Sequence, residues 1–178
     1  MKSASKYPPP IFGADGYQDN LVDLNGTPMP DLKTVKVRRT MSMTYAIKVE
    51  ITDLKAKTFV FDRQKTMYGG RKIAAGDTIF IFASENEGGP GLIARGVVTS
   101  ARATPRLPGV ERQTPRVSIT VQRTATVKRR LGRAELKPFA NWGDGRPETE
   151  LNFKYYRQAT NKIVGLTNET AAFLRRFF

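Results

Sequence analysis

Apolar positions are densest between residues 76 and 98. Ile79-Phe80-Ile81-Phe82-Ala83 is an unbroken apolar run, β-branched and aromatic, and too short for a free-standing helix. That is the pattern of a strand covered on both faces. Gly76-Asp77 before it is a turn that starts the strand. Glu87-Gly88-Gly89-Pro90-Gly91 after it cannot continue one, so the chain turns there. Leu92 to Val98 returns as a second apolar strand, and Gly96 inside it marks a bulge or a close approach by something flat. Two strands joined in this way predict the middle of a small sheet or barrel.

Weaker periodicities surround this hairpin. Tyr45, Ile47, Val49 and Ile51 alternate with Thr44, Ala46, Lys48 and Glu50, the signature of a half-buried strand. Phe59-Val60-Phe61 is a short apolar patch. Asp62 to Gly70 reads as a helical turn stopped by Gly69-Gly70, with Tyr68 near its tip. Val117, Ile119 and Val121 alternate strictly with Ser118, Thr120 and Gln122, so the apolar three should face the core. Gly132 to Leu136 fits a short helix stopped by Pro138, and Phe139 to Glu150 a loop carrying Trp142. Thr167 caps a last helix with Glu169 in its first turn. Ala171, Phe173, Leu174, Phe177 and Phe178 are its apolar residues. Residues 1–36, with Tyr7-Pro8-Pro9-Pro10, Asn25-Gly26 and Pro28-Met29-Pro30, read as an extended arm that cannot build its own core. Residues 37–178 read as one α+β domain: a small curved β sheet or open β barrel with peripheral helices.

Composition then narrows the chemistry. The 178 residues hold 30 Lys and Arg against 16 Asp and Glu, a formal net charge of +14. A surplus of that size repels itself in a compact chain and points to a polyphosphate partner, DNA or RNA. There is no Cys and no His. Disulfides, thiolate nucleophiles, Ser-His-Asp triads and His-metal nuclease sites are therefore excluded. No cofactor is expected. The sequence has no apolar run of membrane-spanning length and no secretory h-region, which makes a cytoplasmic protein the expectation.

The basic residues cluster. Arg95, Arg102, Arg106, Arg112, Arg116, Lys128, Arg129, Arg130 and Arg133 form the candidate phosphate-binding set. Leu151 to Gly165 interleaves Phe153, Tyr155 and Tyr156 with Lys154, Arg157, Gln158 and Asn161. A base pocket needs flat faces, a few polar groups for the base edge, and cations for phosphates. Tyr68, Trp142, Phe153, Tyr155 and Tyr156 are candidate faces. Ser84, Glu85, Asn86, Gln158 and Asn161 are candidate edge readers. Tyr155 and Tyr156 are neighbours, so on a strand one of them belongs to the core. Glu135-Leu136-Lys137 matches half of a metal-dependent nuclease site, which needs a further acid; Asp31 is far away in sequence, and Glu148 and Glu150 are the alternatives.

The segment Lys72 to Ser84, Lys-Ile-Ala-Ala-Gly-Asp-Thr-Ile-Phe-Ile-Phe-Ala-Ser, resembles the core of EVE-type domains in the PUA-like superfamily. Gly91 to Val98 fits the next strand of that pattern. Phe153 to Ile163 resembles the C-terminal region of EVE-like modules found beside nuclease domains in bacteria. The resemblance covers about residues 41 to 178. EVE, YTH and SRA relatives accept a flipped or unpaired base, often a modified one, in an aromatic pocket beside a basic groove. On that resemblance, Tyr45 stands where the first strand carries an aromatic. Met67-Tyr68-Gly69-Gly70 lies near the family's Trp-x-Gly loop, without its Trp. Ser84, Glu85 and Asn86 occupy the end of the central strand, where polar groups meet the base. The resemblance implies a non-catalytic reader of a modified or flipped base in DNA, with a separate nuclease as a partner. The alternatives are an RNA-binding module in translation or RNA modification, and a small metal-dependent nuclease.

Overall fold

A computed structural model describes residues 43–157 and 161–178. The predicted arm, 1–36, lies outside the described residues. Six strands form a closed barrel: β1 (Thr44–Val49), β2 (Thr58–Met67), β3 (Thr78–Ala83), β4 (Gly91–Ala103), β5 (Arg116–Thr126) and β6 (Lys162–Gly165). Their order around the barrel is β1-β3-β4-β5-β2-β6. The short β6 closes it, pairing antiparallel with β1 and parallel with β2. The α+β class with peripheral helices is as the sequence indicates; closure removes the free edges that an open barrel would expose.

The predicted hairpin is the β3–β4 antiparallel pair, and β3 is buried along almost its whole length. Its two faces serve two cores. Ile79, Ile81 and Ala83 join Tyr45, Ile47, Phe59, Phe61, Ile119, Val121 and Ile163 inside the barrel. Phe80 and Phe82 point outward into a second core with Leu131, Leu136, Leu151, Tyr155, Val164, Leu174 and Phe177. The elements that cover this outer wall are α1 (Arg133–Leu136), α2 (Pro147–Asn152), a π-helical turn (Phe153–Arg157) and α3 (Asn168–Arg175). Each large apolar side chain so buried stabilises the fold by roughly 1.5–3 kcal/mol relative to exposure. The Asp77 carboxylate ties the start of β3 to its surroundings, accepting from Ala74 N at 2.8 Å and Met43 N at 3.1 Å.

Several expectations need correction. Residues 62–67 are not helical: they continue β2, and a bulge makes them look irregular. Pairing with β5 shifts between Phe61 and Gln64, and Arg63 adopts φ 46°. The Ser118 hydroxyl holds the bulge by accepting from Arg63 N at 3.0 Å, while Arg116 Nη1 donates to Arg63 O at 2.7 Å. β1 is not half-exposed, because helices cover its outer face; Ala46 is wholly buried and Lys48 is 2% exposed. α2 begins within the predicted 139–150 loop, with Pro147 in its first turn. Thr167 does cap α3, accepting from Thr170 N at 3.2 Å. Gly96 is a close-approach site, since a Cβ there would lie 2.5 Å from Val121 Cγ1.

Candidate nucleic-acid interface

The end of β2 delivers an aromatic residue to the surface under backbone constraint. Tyr68 adopts φ 48° and Gly69 follows at φ 83°. The turn Gly70–Lys72 then packs so closely on β6 that a Cβ on Gly70 would lie 2.3 Å from Ile163 O. A non-glycine residue held at positive φ stores strain, and such positions gather at functional sites. The Tyr68 ring lies 5.9 Å from Phe153, and Phe153 lies 5.6 Å from Trp142. Arg157 sits over both Trp142 (5.3 Å) and Phe153 (5.1 Å). Lys154 and Lys162 flank Tyr68 at 5.6 and 5.7 Å. Rings and cations thus form one continuous track.

At the Trp142 end the track opens into a groove. A hollow of about 200 Å³ is lined by Trp142, Tyr156, Asn152, Arg157, Arg133 and Lys137. A second, of about 410 Å³, shares Arg133 and Lys137 and adds Glu85, Asn86 and Ala134. Glu85 organises the junction: it accepts from Tyr156 Oη at 2.7 Å and from Arg133 N at 2.8 and 2.9 Å. Burial, with Glu85 as acceptor, pushes the Tyr156 phenol far above its usual range, so it stays a neutral donor. Behind Tyr156, Lys48 Nζ lies 4.5 Å from the ring centre and 3.4 Å from Tyr155 O. Lys48 faces Lys162 across the β1–β6 pair. Burial lowers both ammonium pKa values. The Glu85 charge opposes this at Lys48, and Lys48 adds to it at Lys162. The groove's own positive charge comes from Arg133, Lys137 and Arg157 in its walls.

At the Tyr68 end, Arg71 borders a channel of about 670 Å³ at the root of the loop between β4 and β5. Arg63, Arg106, Gln113 and Arg116 also line it. Four arginines and no carboxylate in its walls give this channel the charge to cradle phosphates. On the far side of Trp142 and Phe153, a hollow of about 380 Å³ carries Glu150 and Glu169 among its walls. Glu150 is structural: its carboxylate receives Lys154 Nζ at 2.5 Å, Thr167 N at 3.1 Å and the Thr170 hydroxyl.

Of the predicted pocket residues, Tyr68, Phe153 and Trp142 come together, and Asn86 borders the groove. Tyr45 does not: it is fully buried in the barrel core. Tyr155 is equally buried, its ring 5.3 Å from Phe82, because the π-helical turn directs it inward. Ser84 is 2% exposed at the end of β3, so it is not a surface edge reader. Asn161 is exposed next to β6, and Gln158 lies outside the described residues.

The predicted phosphate set divides into groups instead of following one groove. Arg106 and Arg116 line the channel, while Arg102 and Arg112 are exposed on β4 and its loop. Arg95 lies over Phe178, and Arg129 over Phe177 with its Nη2 donating to Arg176 O at 2.8 Å. Lys128, exposed, adjoins this C-terminal group, its N–H bonded to Phe177 O. Arg130 pairs with Glu135 at 3.4 Å, and Arg133 borders the groove. Glu135 also accepts from Gly132 N at 2.8 Å, a helix-start role. Among the described residues no group of three or more Asp or Glu is placed to hold a metal ion. Sequence reasoning missed Lys48, Lys162, Lys137, Asn152, Arg63 and Arg71. The one available signal was a lysine heading or interrupting an apolar strand, at Lys162 and Lys48.

No family model matches the chain, and neither does any curated protein. Solved structures do. Human THYN1 in complex with 5-methylcytosine-containing DNA superposes with a TM-score of 0.53 at 22% identity, covering 75% of this chain and 95% of that one. The DUF55 domain of human thymocyte nuclear protein 1 gives a TM-score of 0.51 at 21% identity, over 74% and 95% of the two chains. A Pseudomonas putida protein gives 0.51 at 16% identity, over 75% and 98%. The chain thus shares the barrel fold of these structures.

Proposed function

We propose that this chain is a non-catalytic nucleic-acid-binding domain that reads a modified or extruded base in DNA. The observation that carries the reading is the run of rings and cations from Tyr68 through Phe153 to the Trp142–Tyr156 groove. The DNA complex of the structurally similar human protein supports it. An extruded base stacks against Trp142 and Tyr156, a contact worth about 1–3 kcal/mol per base. Glu85 offers the acceptor that an exocyclic amino group needs, as on cytosine or adenine. Arg133, Lys137 and Arg157 take the flanking phosphates, and the channel arginines take the backbone further along.

The test is a competition measured by fluorescence anisotropy. Labelled duplex DNA with one 5-methylcytosine competes with the same duplex carrying cytosine, and with RNA of the same sequence. Preference for the methylated duplex supports the reading. Equal affinity for methylated and plain DNA, or preference for RNA, overturns it.

A further inference from the structure

The loop joining β4 to β5 carries two aliphatic side chains that phosphates cannot use, one of which, Leu107, also borders the arginine channel. Leu107 is 61% exposed and Val110 49% exposed at its tip. Around them the loop is basic: Arg106 and Arg112 flank the tip, Arg102 and Arg116 stand on the strands, and Glu111 is the sole acid from 104 to 115. The tip is also pre-shaped. Gln113 clamps it from inside, its Oε1 accepting from Leu107 N at 2.9 Å and its Nε2 donating to Leu107 O at 2.7 Å and Val110 O at 3.0 Å. Pro105 and Pro108 fix φ on the approach, and Gly109 takes φ 76°, which turns the chain. The root is anchored as well, with Thr66 N donating to Pro115 O at 2.9 Å.

We propose that this loop is a wedge: Leu107 and Val110 insert between stacked base pairs of duplex DNA beside the extruded base. This rests on the DNA-reading function above and adds the means by which the base is freed. Aliphatic side chains that enter a base step unstack it, at a cost repaid by added backbone contact. A loop already held in shape spends little entropy on insertion. Charge complementarity selects the occupant, since Arg106 and Arg112 flank the apolar tip in sequence and a polyphosphate is their natural counterpart. The loop's root opens on the channel that Arg71 borders, three residues from Tyr68. Two aliphatic residues bury too little for stable anchoring in lipid, where one acyl chain alone gives only marginal binding.

The experiment uses a duplex with 2-aminopurine beside a 5-methylcytosine, whose emission rises when the probe is unstacked. Wild-type protein should raise the emission several-fold on binding. The double variant Leu107→Ser with Val110→Ser should lose at least about half of that rise, while its anisotropy isotherm keeps the wild-type salt slope. Thermal melts check that the surface variant folds. Duplex binding without any emission rise would overturn the wedge and leave the DNA reading standing. So would a double variant that matches the wild type. Binding to phosphatidylserine vesicles that the double variant loses, without unstacking of the duplex, would assign the tip to lipid and overturn the proposal. Failure to bind any duplex would instead remove the reading on which it rests.

Discussion

Removing Arg71 and Arg106 together should change the salt dependence of DNA binding by a calculable amount. Both side chains border the 670 Å³ channel and both are exposed, so their loss should alter stability by no more than about 0.5 kcal/mol. Arg116 is a poorer choice because its Nη1 holds the Arg63 carbonyl at the β2 bulge. If each arginine neutralises one phosphate, each contributes about −0.9 to the slope of log K against log salt. The double alanine variant should therefore show a slope shallower by roughly 1.8. Between 50 and 200 mM salt the wild type should then lose roughly twelvefold more affinity than the variant. Arg95→Ala is the control, since that cation lies over Phe178 beside a different hollow. Anisotropy titrations at four or more salt concentrations measure all three slopes. An unchanged slope in the double variant, or an equal change in Arg95→Ala, would refute the channel as the path of the backbone.

Further outcomes follow from other parts of the structure. Trp142→Ala should weaken binding of the modified-base duplex by about 5- to 150-fold, the equivalent of one lost stack, and leave the salt slope intact; Trp142→Phe should retain most of the affinity. Equal losses on modified and plain DNA would count against Trp142 as a pocket wall. At Glu150, burial raises the carboxyl pKa, but hydrogen bonds from Lys154, Thr167 and Thr170 outweigh it and hold the group below its usual value. Its contribution is complete above the unfolded value of about 4.3 and is lost as pH falls through the folded pKa. Glu150→Gln should cost about 1.5–3 kcal/mol at pH 7 and flatten the acid limb of stability against pH, measured by urea unfolding; an acid limb as steep as the wild type's would assign that loss to other groups. Gly70→Ala should cost about 1–3 kcal/mol or more, because its Cβ meets the Ile163 carbonyl, whereas Gly143→Ala meets nothing within 4 Å and should be neutral. Similar melting temperatures for the two would contradict the tight packing of the Tyr68 turn.

The fold was legible where one residue pattern had one physical explanation. The run Ile79 to Ala83 needs cover on both sides, and β3 has it between two cores. Strict alternation at 117–121 and the Thr167 cap also translated directly into β5 and α3. β2 was hidden because its bulge places Asp62, Arg63 and Gln64 in succession without alternation. Lys48 misled for a related reason: a lysine on an alternating strand reads as solvent-facing, but the helices pack over that face. Trp142 was recognisable from its polar Gly-Asp-Gly setting. Its partners were not, because Tyr68 and Phe153 are far apart in sequence and meet only through barrel closure by β6. Clustering of arginines along the chain likewise said little about grouping in space. Arg95 and Arg129 rest on C-terminal aromatics, while Arg71, near no basic run, borders the channel.

Trp142 is the chain's single tryptophan, so its emission reports from the groove without a label. Titrating the protein with duplexes that differ only in one 5-methylcytosine, and recording both tryptophan emission and DNA anisotropy, tests stacking in that groove most directly. The expected result is saturable quenching whose midpoint coincides with the anisotropy transition and lies at lower concentration for the methylated duplex. Salt-sensitive binding by anisotropy with tryptophan emission unchanged on both duplexes would contradict it.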